Sequence, residues 1–462
     1  MSESTRDNGE RADASEDARA ARGAGAPASE RDVGSYFVAN YPPFSVWTGD
    51  AVAREARPAL DRAPAAGVPL GLYLHVPFCR KRCHFCYFRV YTNKNAQDVE
   101  TYLDAMAREW EAYGQTPAIA GRPLSFIYVG GGTPSFLSTQ QLDKLVQRMT
   151  AVAPWTPAQE ITFECEPGTL TEAKLSAIRH IGVTRLSLGV ENFSDRILDL
   201  NGRAHRSPEI ARAYGFARTL DFPQINIDLI AGMLGETDDN WRACIERTID
   251  LSPDSVTIYQ MELQFNTTIS ADILNGRGEF KEHVASWDVR RRWMREAFEA
   301  LEAAWYHIGS AYTAAKNPER TTFLYRDRLW QGADLVGLGV ASFGHVNGVH
   351  VQNLDTWERY IEAIDRGDLP LGRAYRATDD ERLIREVVLQ LKRGSIQPPY
   401  FAGKYGVDVG DRFAPQWASL GTDGYLQTIS SDRIALSREG LLRVDSLLHR
   451  FFLPEHVRVR YT

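Results

Sequence analysis

The chain has 462 residues, of which 44% are hydrophobic and 11% aromatic, which is enough for two or three domains with a substantial core. Its formal net charge is −7 with both signs mixed throughout, so the basic face that nucleic-acid binding requires is absent. No apolar run approaches the roughly 18 residues of a membrane span, and the five cysteines favour a reducing cytoplasm over a disulfide framework.

The first 34 residues differ in composition from the rest of the chain. They contain no aromatic residue and are rich in Ala, Arg, Glu, Asp, Ser and Gly. Such a segment cannot bury enough surface to offset its chain entropy, so residues 1–34 are predicted to be a disordered tail. Its eight acidic residues argue against a transit peptide. Order is expected to begin near Tyr36, in an aromatic-rich N-terminal arm over residues 35–70.

From residue 71 the chain repeats a short apolar run, a polar loop and an amphipathic helix. Tyr102, Met106 and Trp110, for example, recur three or four residues apart. Continuous apolar strands that alternate with helices are typical of a parallel sheet with covered faces. The sequence therefore predicts an α/β fold with a partial, TIM-like (β/α)6 barrel over residues 71–310, then an extension and connector over 311–369. The predicted strands are 72–76, 124–129, 161–165, 185–190, 225–230 and 255–261.

Three cysteines, Cys79, Cys83 and Cys86, lie within eight residues of each other after the first predicted strand. Thiolates select zinc or iron–sulfur clusters. A closed zinc site would need a fourth ligand, for which His75 and His84 are the local candidates. A cubane cluster held by three cysteines instead leaves one iron open to a small molecule, and this hypothesis suits the spacing best. The isolated Cys165 and Cys244 are interpreted as buried structural thiols.

The other unusual polar residues also fall where the predicted strands end. Active sites of β/α barrels are built at the carboxyl ends of several strands. We therefore expect one site that includes the Gly-Gly-Gly-Thr-Pro run at 130–134, Glu164, Glu166, Glu191, Asp228 and the segment 259–262.

Each of these features also has an ordinary structural explanation. The run at 130–134 could form only a tight turn, or its bare backbone could approach a ligand closely. Glu164 and Glu166 could be solvated acids, and alternation along a strand would place them on one face. Asp228 lies in an apolar strand and needs a partner, either a ligand group or a buried arginine. Arg203 could lie on a helix surface.

The cysteine motif and Gly-Gly-Gly-Thr-Pro together resemble the radical S-adenosylmethionine (SAM) enzymes. Within them, the chain resembles the lineage of oxygen-independent coproporphyrinogen III oxidase, its related heme chaperones and the class C, two-SAM methyltransferases. The resemblance implies a [4Fe–4S] cluster on Cys79, Cys83 and Cys86, one or two SAM molecules, an external electron donor such as flavodoxin or ferredoxin, and a small-molecule substrate.

The resemblance also implies which residues contact SAM. Phe85 would pack on the adenine, the glycine run would receive the methionyl amino group, and Asp228 would suit a ribose hydroxyl. The full implied set is Tyr73, Phe85, Gly131, Gly132, Thr133, Glu164, Arg203 and Asp228. The segment 370–462 resembles the mainly helical, winged-helix-like cap of the same lineage, and its mixed charges favour a substrate cover over a DNA-binding module.

Two departures from the oxidases bear on the reaction. Phe88 stands where those enzymes have a further cysteine, and Glu191 stands where they have Gln. These departures favour two-SAM C-methylation, or cyclopropane-forming methylene transfer, on a small metabolite. Glu191, Tyr259 and Glu262 are the candidate catalytic residues for proton transfer because of their strand-end positions.

Two alternatives remain open at this stage. One is oxidative decarboxylation of a porphyrinogen by an enzyme of the oxidase type. The other is heme binding and delivery, for which the candidate axial ligands are His205, His307, His345 and His350.

Overall fold

The six apolar runs of the middle region are strands in the computed structural model, which describes residues 37–263, 267–274 and 283–457. Each strand pairs in parallel with the next one along the chain, so the predicted sheet is confirmed. The predicted tail at 1–34 lies outside the described residues. The strands are β1 Leu70–Val76, β2 Leu124–Gly131, β3 Glu160–Cys165, β4 Arg185–Glu191, β5 Gln224–Ala231 and β6 Ser255–Gln260.

The sheet continues past these six strands on both sides. Beside β6, the short strands β8 and β7 pair antiparallel, and beside β1, β9 pairs parallel and leads into three antiparallel strands. The twelve strands run in the order β12-β11-β10-β9-β1-β2-β3-β4-β5-β6-β8-β7, as expected of a partial barrel. The added strands are β7 His307–Ile308, β8 Thr313–Ala315, β9 Asp334–Leu338, β10 Phe343–Val346, β11 Val349–Asn353 and β12 Leu371–Arg376.

Amphipathic helices connect the parallel strands, which need such crossovers to run in one direction. Helix Ala96–Gly114 begins with a capping box between Asn95 and Asp98 and buries Tyr102 and Trp110 against the sheet. In the described part of the chain, no helix is both long and apolar enough to cross a membrane. The helices up to residue 365 are Arg57–Leu60, Ala96–Gly114, Thr139–Val152, Glu172–His180, Asp195–Leu200, Ser207–Ala217, Asp238–Leu251, Thr268–Leu274, Trp287–Ala303, Leu324–Trp330 and Trp357–Asp365.

A single large hydrophobic core joins the sheet, its helices and the C-terminal region. Leu72, Phe163 and Leu188 in the strands are fully buried, as are Trp110 and Trp417 in the helices. Each such side chain contributes roughly 1.5–3 kcal/mol by its burial. This packing fixes where each strand ends, and so fixes where the polar residues meet.

The chain beyond residue 378 is mainly helical and has its own three-stranded antiparallel sheet. Its order of helix, strand, two main helices and two strands is that of a winged helix, as predicted for the cap. Lys392 ties this region to the N-terminal arm, because its buried ammonium donates to the Val38 carbonyl (2.9 Å) and pairs with Asp445 (3.0 Å). The predicted boundaries at 70, 310 and 369 stay predictions. The elements are Asp379–Leu391, β13 Ser395–Ile396, Pro398–Tyr405, Val409–Arg412, Ala414–Thr422, β14 Leu426–Ile429, β15 Ile434–Leu436, Arg438–Leu442 and Val444–Leu448.

Candidate active site

The three clustered cysteines lie on the loop that follows β1, and backbone hydrogen bonds hold that loop. The Cys79 amide donates to the Tyr91 carbonyl (3.1 Å), and the His84 amide donates to the Asn201 carbonyl (3.0 Å). Burial, with a smaller contribution from the neighbouring thiols, raises the pKa of Cys79 to about 11. Because a cation nearby favours the thiolate form of a cysteine, the Cys79 side chain is suited to a site where a metal stabilises the thiolate.

The zinc alternative finds no support in this loop. Among residues 37–263, 267–274 and 283–457, no group of three or more His, Cys, Asp or Glu side chains is arranged to hold one metal ion. Nδ1 of His75 is hydrogen bonded to the Tyr73 hydroxyl (3.0 Å), and Nδ1 of His84 is hydrogen bonded to the Leu200 carbonyl (3.0 Å). An iron–sulfur cluster needs no convergence on one ion, because each cysteine binds a different iron.

The glycine run after β2 lies directly against the first cysteine. Gly131 has a φ of 120° and donates its amide to Glu164 Oε2 (3.1 Å). A Cβ on Gly132 would lie 3.0 Å from Cys79 Sγ and 2.9 Å from a backbone carbon of Pro77. The Thr133 hydroxyl donates to Cys79 Sγ (3.4 Å). The missing side chains therefore allow close approach of backbone beside the thiol, which is more than a tight turn requires.

Glu164 and Asp228 are two partly buried carboxylates near the middle of the sheet. Glu164 accepts hydrogen bonds from the Tyr128 hydroxyl and the Gly131 amide, and burial raises its pKa to about 7. Asp228 accepts from the Ser187 hydroxyl (2.8 Å) and the Asn226 amide group (2.9 Å). The sequence predicted a ligand group or a buried arginine as the partner of Asp228. Neutral side chains on its own and the adjacent strand bind it directly, and the charge of the buried Arg185 also lowers its pKa against the effect of burial.

Glu166 belongs to a network that sequence reasoning missed. It lies one residue past the end of β3 and accepts hydrogen bonds from Arg80 (2.9 Å) in the cysteine loop. Its other oxygen is 3.1 Å from Nδ1 of His205, a fully buried side chain. Burial alone would raise the pKa of Glu166, but the hydrogen bond with His205 and the charges of Arg203 and Arg80 lower it to about 2. Glu166 thus anchors the cysteine loop. Arg80, which directly follows Cys79 in the sequence, was the signal that could have indicated this ion pair.

Arg203 is buried at the cysteine loop and does not lie on a helix surface. Its guanidinium donates to the Gly189 carbonyl (2.7 Å) and to Cys83 Sγ (3.5 Å), and it is 3.5 Å from Glu191 Oε1. Glu191 ends β4 with a φ of 64°, the left-handed region that non-glycine residues rarely adopt. Burial, with the charges of Asp228 and Glu164, raises the pKa of Glu191 to about 7, although Arg203 opposes this shift.

Several aromatic side chains near these groups are exposed or partly buried, and we call the surface that they form the aromatic opening; they are Phe85, Tyr87, Phe88 and Tyr259. Phe85 packs against an apolar cluster that includes Ile230 and Met261. Tyr87 and Phe88 are exposed and their rings lie 4.4 Å apart. Tyr259 at the end of β6 is 41% exposed, and burial by the surrounding protein, with the charges of Asp228 and Glu164, raises its pKa.

The remaining predicted residues lie near this opening. The Glu262 carboxylate accepts a hydrogen bond from the Phe37 amide (2.5 Å), and the Phe37 ring packs against Tyr259 and Tyr312. Tyr73 on β1 lies 6.0 Å from the Tyr128 ring and so borders the Glu164 side. The predicted site residues therefore lie either within the parallel strands or on the segments that follow the carboxyl ends of β1, β2, β4 and β6.

The four histidines considered as heme ligands lie in different places. His205 is unsuited to the role, since both of its ring nitrogens are hydrogen bonded, to Glu166 and to the Val190 carbonyl. His345 and His350 are buried cross-strand neighbours, with ring centroids 4.6 Å apart. His307 is exposed on β7. The two histidines that lie close together, His345 and His350, are buried, whereas the exposed His307 lies on a different strand.

Comparison with known proteins defines the class of this site. Residues 73–248, from β1 through most of the helix before β6, match the model of the Radical SAM superfamily. Residues 73–248 therefore form a Radical SAM domain, and proteins of this superfamily bind a [4Fe–4S] cluster and SAM.

The particular relatives come from one lineage. The chain is 28% identical over 375 residues to the heme chaperone HemW of Bacillus subtilis, across 80% of this chain and 96% of that protein. It is 28% identical over 433 residues to oxygen-independent coproporphyrinogen III oxidase of Pseudomonas aeruginosa, across 87% and 90% of the two proteins. The structure of coproporphyrinogen III oxidase from Escherichia coli, a radical SAM enzyme, matches with a TM-score of 0.78 at 24% identity, over 90% of this chain and 96% of that chain. The predicted lineage and fold are confirmed.

The described side chains fit a cluster and SAM by their own chemistry. Three thiols share one loop, and the glycine turn leaves space beside Cys79 that a Cβ would fill. Nε of Arg203 is buried and, among the described residues, has no hydrogen-bond partner. A buried cationic donor beside bare backbone amides is suited to a ligand carboxylate.

Proposed function

We propose that this protein is a radical SAM oxidoreductase of the coproporphyrinogen III oxidase type, which decarboxylates propionate side chains of a porphyrinogen. The observation that carries the proposal is the extent of the similarity, 28% identity to a named oxidase over 87% of this chain. The similarity reaches well past the barrel. A shared barrel alone would indicate only the cofactor chemistry, whereas a shared C-terminal cover favours a related substrate.

In this proposal Cys79, Cys83 and Cys86 bind the cluster, and two groups of residues bind SAM. The backbone of Gly131 and Gly132 with Thr133 would receive the methionyl amino group. The side chains that would complete the SAM site are Tyr73, Phe85, Glu164, Arg203 and Asp228. When bound and reduced by a donor such as flavodoxin or ferredoxin, these cofactors supply a 5′-deoxyadenosyl radical that abstracts hydrogen from an unactivated carbon.

The charges of these residues suit SAM. The buried Arg203 cation would form a charge-assisted hydrogen bond with the SAM carboxylate through its unpartnered Nε. Asp228 keeps acceptor capacity beyond its bonds to Ser187 and Asn226, which suits a ribose hydroxyl. Apolar contacts of Phe85 would exclude water from the adenine.

The substrate would enter through the aromatic opening. Tyr87, Phe88 and Tyr259 expose their rings there, and such rings are suited to packing against the separate pyrrole rings of a porphyrinogen. Glu262 is held by the Phe37 amide and could take up or release a proton near the substrate, with Tyr259 beside it. We assign these two catalytic roles because Tyr259 lies at the carboxyl end of β6 and Glu262 just after it.

Methyl transfer receives less support than the sequence suggested. Phe88 and Glu191 still depart from the oxidase pattern, but the named relatives are an oxidase and a heme chaperone. We keep a second SAM and one-carbon transfer as an outcome that the assay below can detect.

Heme delivery is the second candidate function. It is favoured by the similarity to the heme chaperone HemW, which spans 96% of that protein. The exposed His307 is the candidate ligand with the easiest access, whereas His205 is excluded by its two hydrogen bonds. A hemin titration would therefore test His307→Ala first.

One assay separates the three functions. The cluster is reconstituted anaerobically, and reductant, SAM and coproporphyrinogen III are added. We expect 5′-deoxyadenosine together with decarboxylated porphyrinogen. S-adenosylhomocysteine with a methylated product would indicate methyl transfer. Tight hemin binding with no deoxyadenosine would favour heme delivery. The Cys83→Ala variant is the control and should give neither nucleoside product.

A further inference from the structure

Glu191 and Arg203 form a series of charged groups that ends on Cys83, a cluster cysteine 120 positions before Arg203. Glu191 Oε1 lies 3.5 Å from a terminal nitrogen of Arg203, and another terminal nitrogen of Arg203 lies 3.5 Å from Cys83 Sγ. The Gly189 carbonyl accepts from the same guanidinium at 2.7 Å and fixes its plane. The side chains of Glu191 and Arg203 are both only 12% exposed, so solvent screens their interaction weakly.

The position of Glu191 is not explained by folding alone. Its φ of 64° costs free energy for a residue with a side chain, and the pairing of β4 with β5 shifts register at this point. A Cβ on Gly189 would lie 2.9 Å from Glu191 Oε1, so this glycine leaves the space that the carboxylate uses. The backbone is thus shaped to bring a carboxylate against Arg203.

We infer that Glu191 is a positioning residue that sets the reduction potential of the cluster through Arg203. An N–H donor and positive charge at a cluster thiolate favour the reduced cluster, which carries one more negative charge. A carboxylate behind that guanidinium offsets part of the charge and lowers the potential. The other acids facing Glu191, Asp228 and Glu164, act in the same direction from further away. The inference rests on the proposed cluster site.

Reduction of the cluster is a one-electron step. One electron from the added reductant enters the oxidised cluster, and no bond to Glu191 or Arg203 forms or breaks. Glu191→Gln keeps an oxygen that can accept from Arg203 and removes the negative charge. Arg203→Gln removes both the positive charge and the guanidinium donor.

The test is a redox titration of the reconstituted full-length protein without SAM at about pH 9, where Glu191, whose pKa is about 7, is ionised. The electron paramagnetic resonance signal of the reduced cluster follows the titration. At a fixed potential, Glu191→Gln should raise the ratio of reduced to oxidised cluster about tenfold, which is about 59 mV for a one-electron couple. Arg203→Gln should lower the ratio by a similar factor. The matched control is Glu236→Gln, another buried carboxylate, whose partners are the amides of Gly232, Met233 and Asn192.

The double variant decides whether Glu191 acts through Arg203. In the Arg203→Gln background, Glu191→Gln should change the ratio less than threefold. An unchanged tenfold effect there, or a Glu191→Gln ratio equal to that of the Glu236→Gln control, would overturn the inference. If wild-type protein bound no cluster at all, the proposed function itself would fail. If Arg203→Gln loaded no iron, Glu191→Gln against its control would still decide the charge effect.

Discussion

Two buried arginines at opposite ends of β4 have different surroundings. Arg185 at the amino end lies over the Phe323 ring (4.1 Å), and the nearby Glu160 is bonded to the amides of Leu324 and Tyr325. Arg203, which follows β4, contacts a cysteine of the cluster loop. Both lack a partner for Nε among the described residues.

The difference between the two arginines lies in what surrounds them. The amino-end group of Glu160, Arg185 and Phe323 is enclosed by protein, and Arg185 lowers the pKa of Glu160, Glu164 and Asp228 against the effect of burial. The carboxyl-end group of Cys83, Glu191 and Arg203 is instead partly exposed, with the Glu191 and Arg203 side chains each 12% exposed. A buried cation can thus serve stability at one end of a strand and ligand binding at the other.

The largest expected effect is loss of the iron–sulfur cluster, which lies at the carboxyl ends of the strands. Cys79→Ala should lose iron and the absorption near ~400 nm that thiolate-ligated clusters show, because a cubane held by two cysteines dissociates. Iron content and visible spectra after anaerobic reconstitution measure this. Cys165→Ala, a buried thiol at the end of β3, is the control and should keep its iron. Full iron content in Cys79→Ala would contradict the site.

The second largest effect is expected on the free energy of unfolding, at the amino end of β4. Arg185→Met removes the countercharge of three buried or partly buried carboxylates and should lower the free energy of unfolding by about 3–5 kcal/mol. Arg203→Met should cost less, about 2 kcal/mol, since Arg203 and Glu191 are each 12% exposed whereas Arg185 is 2% exposed. Urea unfolding of cluster-free protein compares the two. Equal losses would mean that the two ends do not differ in this way.

The pH dependence of the free energy of unfolding tests Glu164, whose carboxylate interacts with Arg185 at the amino end and with Glu191 at the carboxyl end of β4. Burial raises the pKa of Glu164 from 4.5 to about 7, so protonation stabilises the folded state below pH 4.5 and this contribution is lost as the pH rises through about 7. Relative to wild type, Glu164→Gln should therefore gain about 3 kcal/mol between pH 4.5 and pH 8. The exposed Glu172→Gln is the control. Parallel pH profiles for wild type and Glu164→Gln would refute the assignment.

The smallest effect concerns one hydroxyl beside the first cysteine. Thr133→Val removes its hydrogen bond to Cys79 Sγ and should weaken SAM binding about fivefold, as expected for about 1 kcal/mol. Calorimetric titration of the reconstituted protein with SAM measures this change. Thr133→Ser keeps the hydroxyl and should bind like wild type, and a loss in both variants would point to packing instead.

Much of the fold could be predicted because its signals are local. The apolar runs were placed within two residues of the observed strand ends, and the cysteine spacing with the glycine run identified the superfamily. The partners of Asp228 could not be predicted, because Ser187 becomes its neighbour only through the pairing of β4 with β5. Neither could the contact of Glu166 with His205, which are 39 positions apart.

The sequence by itself determined the class of protein, the cofactor loop and the order of the strands. These depend on spacing and periodicity, which are properties of neighbouring residues. Only the tertiary structure decided that Arg203 faces Cys83 while Glu191 stands behind it, and that Arg185 is enclosed at the other end. Such contacts depend on strand register and on core packing, which join residues far apart in the chain.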